Sequence, residues 1–158
     1  MALNKSSELS LFFAGAGTVG CYLGAWLAAN GAHVKLLVRP WLAKELSAFG
    51  IKVSHWRGGG FSNPKGLTWT TTVESMAKAD VIFVTVKSRA TEKIARDIAR
   101  FASKQCLIVS LQNGVENLAT LRHFCPDHEV VGGMVPFNVV NMGAGHFHQG
   151  TSGELWFG

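Results

Sequence analysis

The chain reads as an α/β domain: a doubly wound, mostly parallel sheet followed by a small antiparallel extension at its C-terminal end. Two patterns carry this reading. Short, almost wholly apolar runs such as residues 9–14 and 80–86 fit strands covered on both faces, and they alternate with segments of helical periodicity. Alternation of this kind implies parallel strands joined by right-handed crossovers. Residues 137–158 break it, with short alternating segments separated by glycine and no helical stripe.

Taken in order, residues 9–14 are the first strand. From Thr18, the side chains of Val19, Tyr22, Leu23, Trp26 and Leu27 recur on one helical face, which predicts an amphipathic helix closed by Asn30 and Gly31. Residues 33–38 predict a second strand, Pro40 starts a helix through Ala48, and residues 50–56 predict a third strand. Residues 57–66 (RGGGFSNPKG) are the most turn-rich stretch, expected as an exposed, mobile loop or hairpin ahead of LTWTTT. After a short segment at residues 74–79, residues 80–86 predict a buried strand. Residues 88–101 predict a helix with Ile94, Ile98 and Phe101 on one face. A strand at 106–111, a helix at 115–124 and a strand at 129–135 complete the alternation, and no internal repeat or low-complexity segment interrupts it.

Composition limits the function classes. A length of 158 residues is about one domain, and 47% hydrophobic residues against 16% charged is the balance of a chain with a buried core. No apolar run approaches the roughly 20 residues that cross a bilayer. The polar start MALNKSSELS lacks the pattern of a secretory signal, so a cytoplasmic setting without a membrane partner is expected. Cys21, Cys106 and Cys125 show no CxxC spacing and read as reduced thiols. The net charge of +5 comes from scattered Lys and Arg with no basic run, which argues for an anionic small molecule rather than nucleic acid. The tryptophans could be stacking platforms, but Trp26, on a helix face, and Trp156, among apolar neighbours, read as core or interface packing residues.

Chemistry enters at Gly15-Ala16-Gly17-Thr18-Val19-Gly20, a GxGxxG run between a predicted strand and a predicted helix. In that context Gly15 permits the tight turn, Gly17 lets the backbone approach a pyrophosphate, and Gly20 allows close helix packing. The amides and positive end of the helix then hold the phosphates, so a Rossmann-type dinucleotide fold is expected. The plain alternative is a turn that merely needs glycine. Arg39 closes the second strand, beside the adenosine ribose in such a fold. An acid there would bind the 2′-hydroxyl of NAD, whereas a guanidinium offers a planar fork of donors to a 2′-phosphate, and NADP(H) is the expected cofactor. A solvated arginine at a strand end is the alternative.

Lys87 and Asn113 end later strands, at the edge of the sheet where ligands collect. An ammonium at Lys87 could meet a ribose, a phosphate or a substrate carboxylate, or could simply start a helix. Asn113 could present its amide to the nicotinamide ribose or a substrate hydroxyl, although Asn-Gly is also an ordinary turn. His146 and His148 share one strand face, but two histidines lack the third ligand of a catalytic zinc, and no metal is expected. No GxSxG is present, and Cys21 reads as packed in the first helix.

The blocks FFAGAGTVGCYLGAWLAANGAHVKLLVR, ADVIFVTVKS, VSLQNGVEN and VVGGMVPFNVV, with GAGHFHQG after them, together resemble the ketopantoate reductase (2-dehydropantoate 2-reductase) family over nearly the whole chain. The resemblance implies NADPH-dependent reduction of a 2-oxo acid in pantothenate biosynthesis. It makes Gly15, Gly17 and Gly20 the phosphate loop, Arg39 the 2′-phosphate contact, and Lys87 and Asn113 cleft contacts to cofactor and substrate. It also implies a helical C-terminal domain, beyond Gly158, that supplies the lysine acting as general acid. Residues 1–158 are then the dinucleotide-binding domain, expected to be inactive alone and open to self-association. Reduction of another 2-oxo acid and a non-catalytic NADP(H)-binding or redox-sensing module stay open as alternatives.

Overall fold

Apolar side chains on both faces of a strand are buried only where both faces are covered, and the computed structural model, which describes residues 9–158, meets that condition at its first strand. In β1 (Ser10–Ala14), Phe12, Phe13 and Ala14 are buried, pointing to opposite sides. The chain continues through α1 (Thr18–Ala29), β2 (His33–Leu37), α2 (Pro40–Phe49), β3 (Lys52–His55), β4 (Gly60–Ser62) and β5 (Leu67–Thr70). A 3-10 stretch, Val73–Lys78, leads to β6 (Val81–Val84). A single 3-10 turn, Ser88–Ala90, then opens α3 (Thr91–Phe101), where the sequence predicts one uninterrupted helix. The remaining elements are β7 (Leu107–Ser110), α4 (Val115–Phe124), β8 (Val130–Met134), β9 (Val139–Gly143), β10 (His146–Gln149) and β11 (Trp156–Phe157).

A seven-stranded sheet of order β11-β8-β7-β6-β1-β2-β5 forms the centre, parallel throughout except for β11 at its edge. The order reverses at β1, which pairs with β2 on one side and β6 on the other, giving the switch point of a doubly wound Rossmann-type sheet. One face packs on the 3-10 stretch, α3 and α4 through Met76, Ile94, Ile98 and Leu121. The other carries α1 and α2 through Leu23, Ala25, Leu42 and Leu46.

The third predicted strand departs from expectation. β3 does not extend the parallel sheet; β5 takes the place beside β2, and β3 lies in a second sheet of order β4-β3-β10-β9. Residues 56–59 therefore turn a hairpin between β3 and β4, one of the two forms expected there. β9 and β10 form the antiparallel hairpin expected of the C-terminal segment, but β10 also pairs in parallel with β3, with Phe147 opposite Val53. The small sheet is thus built from two stretches far apart in sequence. The chain then returns to the main sheet, where Trp156 of β11 sits opposite Met134.

α1 is the second correction. Its stripe does not divide a buried face from a wet one, because the helix lies between the two sheets. Its small residues face the main sheet: a Cβ at Gly24 would meet Leu36 Cδ2 at 2.6 Å and Val34 Cγ1 at 3.2 Å. Its large ones face the second sheet. Trp26 packs edge-on against Phe61 at 4.9 Å, and Tyr22 donates its hydroxyl to Gln149 Oε1 at 2.6 Å.

Phe147 is 0% exposed at the centre of this second interface. Phe147→Ala is expected to lower unfolding free energy by about 3–5 kcal/mol, the range for a large aromatic removed from a core. On the opposite face of the small sheet, Val140→Ala should stay within about 0.5 kcal/mol, as for other surface changes. Urea unfolding of the two variants checks both. Equal costs would mean that the second sheet is not part of the cooperative core.

Candidate functional site

The carboxyl ends of four neighbouring strands, in the order β7, β6, β1 and β2, carry every residue that the sequence singles out for nucleotide chemistry. At the end of β1 the backbone turns through Gly15 at φ +76°, a conformation that L side chains rarely adopt. A Cβ there would also run into Val86, which follows β6. At Gly20 a Cβ would meet Thr85 Oγ1 at 2.7 Å and Ala16 Cβ at 3.2 Å. These two glycines allow the helix and the two strand ends to touch. Thr85 Oγ1 donates to the Gly15 carbonyl at 3.2 Å, and Ala16 N donates to the Leu37 carbonyl at 2.8 Å, so the turn is tied to both flanking strands.

Gly17 is different: nothing lies within 4 Å of where its Cβ would be. It is exposed and serves as the N-cap of α1 without a side-chain cap, and no acid occupies the first turn. The amides that open a helix have no intrahelical acceptor. At α1 those of Thr18, Val19 and Gly20 add their partial positive charge to an open surface, which suits an anion. The cradle fits a phosphate.

Arg39 follows β2 and is the N-cap of α2, its backbone extended at φ −70°, ψ 153° with Pro40 as the first helical residue. Its side chain is exposed and makes no ion pair among the described residues. Lys87 follows β6, exposed, and its carbonyl accepts from Ala90 N at 2.8 Å. Asn113 follows β7; its side chain is exposed, and its carbonyl accepts from Asn117 Nδ2 at 2.6 Å. β2 and β7 stand three strand spacings apart, roughly 14 Å. Arg39 and Asn113 therefore bracket a span, with the glycine turn and Lys87 between them.

The remaining candidates are accounted for by packing. Cys21 is buried, donates to the Ala16 carbonyl at 3.4 Å, and burial pushes its thiol up to about 12, so no thiolate forms near neutral pH. Burial likewise raises Cys106 and Cys125 to about 11. His146 Nε2 and His148 Nδ1 both bond Ser54 Oγ, at 2.7 and 2.9 Å, so both ring nitrogens on that side are engaged. Burial, then Lys52 and His148, hold His146 below the usual histidine range. Among the described residues no three His, Cys, Asp or Glu side chains gather as a metal site would require. No helix among them is long and apolar enough to cross a membrane.

Residues 11–158 match the family model described as ketopantoate reductase PanE/ApbA. The chain belongs to the ketopantoate reductase family. A 2-dehydropantoate 2-reductase of Archaeoglobus fulgidus is 31% identical over 146 residues, covering 91% of this chain and 45% of that protein. Among solved structures, a ketopantoate reductase of the family from Ralstonia eutropha superposes with a TM-score of 0.84 at 32% identity, covering 94% of this chain and 49% of the other. A 2-dehydropantoate 2-reductase from Geobacter metallireducens gives the same TM-score at 25% identity, over 95% and 49%. The chain spans about half the length of the curated relatives it matches. The members of this ketopantoate reductase family are oxidoreductases, and the matched half is the one that carries the glycine turn.

Three residues that sequence reasoning passed over belong to the site: Thr91, Gln112 and Asn117, whose side chains join the Lys87 and Asn113 loops. Only Gln112 and Asn117 carried a local hint, as amides close to Asn113 and Gly114. Thr91, 26 residues from Asn117, carried none.

The half-buried Gly15 and the exposed Gly17 separate what the turn needs to fold from what it leaves open. Gly15→Ala places a methyl against Val86 at a positive φ, and about 1–3 kcal/mol of unfolding free energy should be lost. Gly17→Ala meets open space and should stay within about 0.5 kcal/mol. Thermal unfolding of the pair measures the difference; similar losses would mean that the turn is not built as described.

Proposed function

We propose that this chain is the nucleotide-binding half of an NADPH-dependent 2-oxo acid reductase that converts 2-dehydropantoate to pantoate in pantothenate biosynthesis. The observation that carries the reading is the uncapped, open N-terminus of α1 at Gly17, one strand away from the exposed guanidinium of Arg39, in a chain of this family. The amides of Thr18, Val19 and Gly20 would hold the pyrophosphate, with Ala16 lining the turn. Arg39 forks onto the 2′-phosphate, where an acid would repel it. Lys87 and Asn113 hold the nicotinamide ribose and the substrate's polar groups on the other side of the switch point. When bound, NADPH supplies a hydride from C4 of its nicotinamide to the carbonyl carbon, and the carbonyl oxygen gains a proton. A cytoplasmic setting accompanies the reading and agrees with three buried, unpaired thiols.

Calorimetry at one salt concentration should find NADPH bound at least tenfold more tightly than NADH, a gap of about 1.4 kcal/mol. Arg39→Asp should remove that preference and leave NADH binding largely intact. Equal affinities in the unmodified chain would overturn the assignment of Arg39.

The 158-residue chain is expected to bind NADPH without turning over ketopantoate. Holding two reactants in attack geometry lowers a barrier by about 7–11 kcal/mol. An open row of strand ends supplies one wall of such a site, and neither Lys87 nor Asn113 is enclosed. Absorbance of the reduced nicotinamide follows the reaction directly. Turnover approaching about 1 per second, within the ordinary range for enzymes, would place the proton donor in this half.

A further inference from the structure

The loops that carry Lys87 and Asn113 follow different strands, and a continuous set of hydrogen bonds, buried at Thr91 and Asn117 and half-buried elsewhere, links them. Gln112 Nε2 donates to the Val86 carbonyl and to Thr91 Oγ1, both at 2.8 Å. Thr91 Oγ1 donates to Asn117 Oδ1 at 2.8 Å. Asn117 Nδ2 donates to Ser88 Oγ at 3.0 Å and to the Asn113 carbonyl at 2.6 Å. Behind them Ser110 Oγ donates to Gln112 Oε1 at 3.3 Å. Val86 and Ser88 are the immediate neighbours of Lys87, so the lysine is held from both sides while Asn113 is held directly.

The polarity of this path is determined from its two ends. A carbonyl can only accept, so the Val86 end requires the amide nitrogen of Gln112 and the Asn113 end requires the amide nitrogen of Asn117. The Asn117 oxygen must then face Thr91, whose single hydroxyl proton goes to it, leaving the Thr91 oxygen to accept from Gln112. One arrangement satisfies every group. Thr91 is 2% and Asn117 5% exposed, so a broken bond would leave a buried polar atom unpaired rather than rehydrated.

We propose that Thr91, acting through Gln112 and Asn117, is a positioning residue that sets the Lys87 and Asn113 loops relative to each other before any ligand arrives. The consequence for nucleotide binding rests on the reading proposed above; the coupling of the two loops is a property of the chain alone. Thr91→Val keeps the shape and removes the hydroxyl, while Thr91→Ser keeps the hydroxyl.

Hydrogen–deuterium exchange of the purified chain reads the coupling without ligand. In Thr91→Val, peptides covering residues 85–90 and 111–117 should both exchange faster than in the parent, with peptides covering β2 unchanged and Thr91→Ser like the parent. Acceleration confined to the segment around residue 91 would overturn the proposal. With NADPH as the probe, Thr91→Val should bind roughly five- to tenfold more weakly, the loss expected for one or two buried hydrogen bonds. Its NADPH-to-NADH ratio should stay at the parent's value, because Arg39 lies outside the path, and Thr91→Ser should restore affinity. Parent-like NADPH affinity in a folded Thr91→Val chain would reject the positioning role. If the parent itself fails to bind NADPH, the nucleotide reading falls while the exchange result still decides the coupling. Should Thr91→Val not fold, Gln112→Ala cuts the same path at a half-buried residue, removing the bonds to the Val86 carbonyl and to Thr91. Faster exchange at residues 85–90 and weaker NADPH binding are then expected, and unchanged exchange overturns the proposal.

Discussion

The contact between α1 and the central sheet, made across two positions without a Cβ, governs most of what this chain can do. Gly20 rests against Thr85 and Gly24 against Leu36, Val34 and Phe13, so the helix approaches the sheet more closely than side-chain packing would allow. Close approach has two effects. It brings the N-terminus of α1 onto the ends of β1 and β6, where the open amides and Gly17 face outward together. It also turns the large residues of the helix, Tyr22 and Trp26, toward the opposite side, where they need a second apolar layer. The small sheet supplies that layer, which explains why a nucleotide-binding fold here carries an additional four-stranded sheet.

The site is assembled with a division between parts that must not move and parts that must be reached. Gly15, Gly20, Thr85 and Val86 are locked by steric contact and by backbone bonds to β1 and β2. Gly17, Arg39, Lys87 and Asn113 are exposed on top of that frame. The positive charges among them are not neutralised by ion pairs among the described residues, whose three salt bridges lie on α3 and at Lys104–Asp127. A row of uncompensated cations and helix-opening amides along four strand ends is a surface suited to an anionic ligand. Water screens such charges at the surface, so a built frame beneath them matters more for selectivity than their number.

Hydrogen bonding shows the same division. Most side-chain bonds near the surface are short-range, such as Lys93 to Asp97 and Arg96 to Glu92 one helical turn apart, and contribute little individually. The bonds through Thr91, Gln112 and Asn117 are buried or half-buried and link residues 21 to 29 positions apart only by way of folded neighbours. They have an ordered direction set by two backbone carbonyls, and no water substitutes for a lost partner.

Local chemistry made much of the fold and part of the site legible in the sequence. Helix α1 begins where the glycines end because a turn at positive φ needs Gly15; α2 begins at Pro40 because its φ is preset; and the apolar runs at β1, β6 and β7 form central strands because nothing else buries both their faces. These signals act over a few residues, so the sequence by itself determined the alternation, the glycine turn and the placement of Arg39, Lys87 and Asn113 at strand ends. The partners of β3 could not be read in this way. Its apolar pattern suits either sheet, and the choice is made by β10, about 90 residues away, with Phe147 closing against Val53 and α1. Only tertiary structure decided that α1 is buried on two sides, that β5 replaces β3 beside β2, and that Thr91 joins two loops. Each of those depends on which distant surfaces meet, and a pattern of hydrophobicity specifies that a face will be covered without specifying by what.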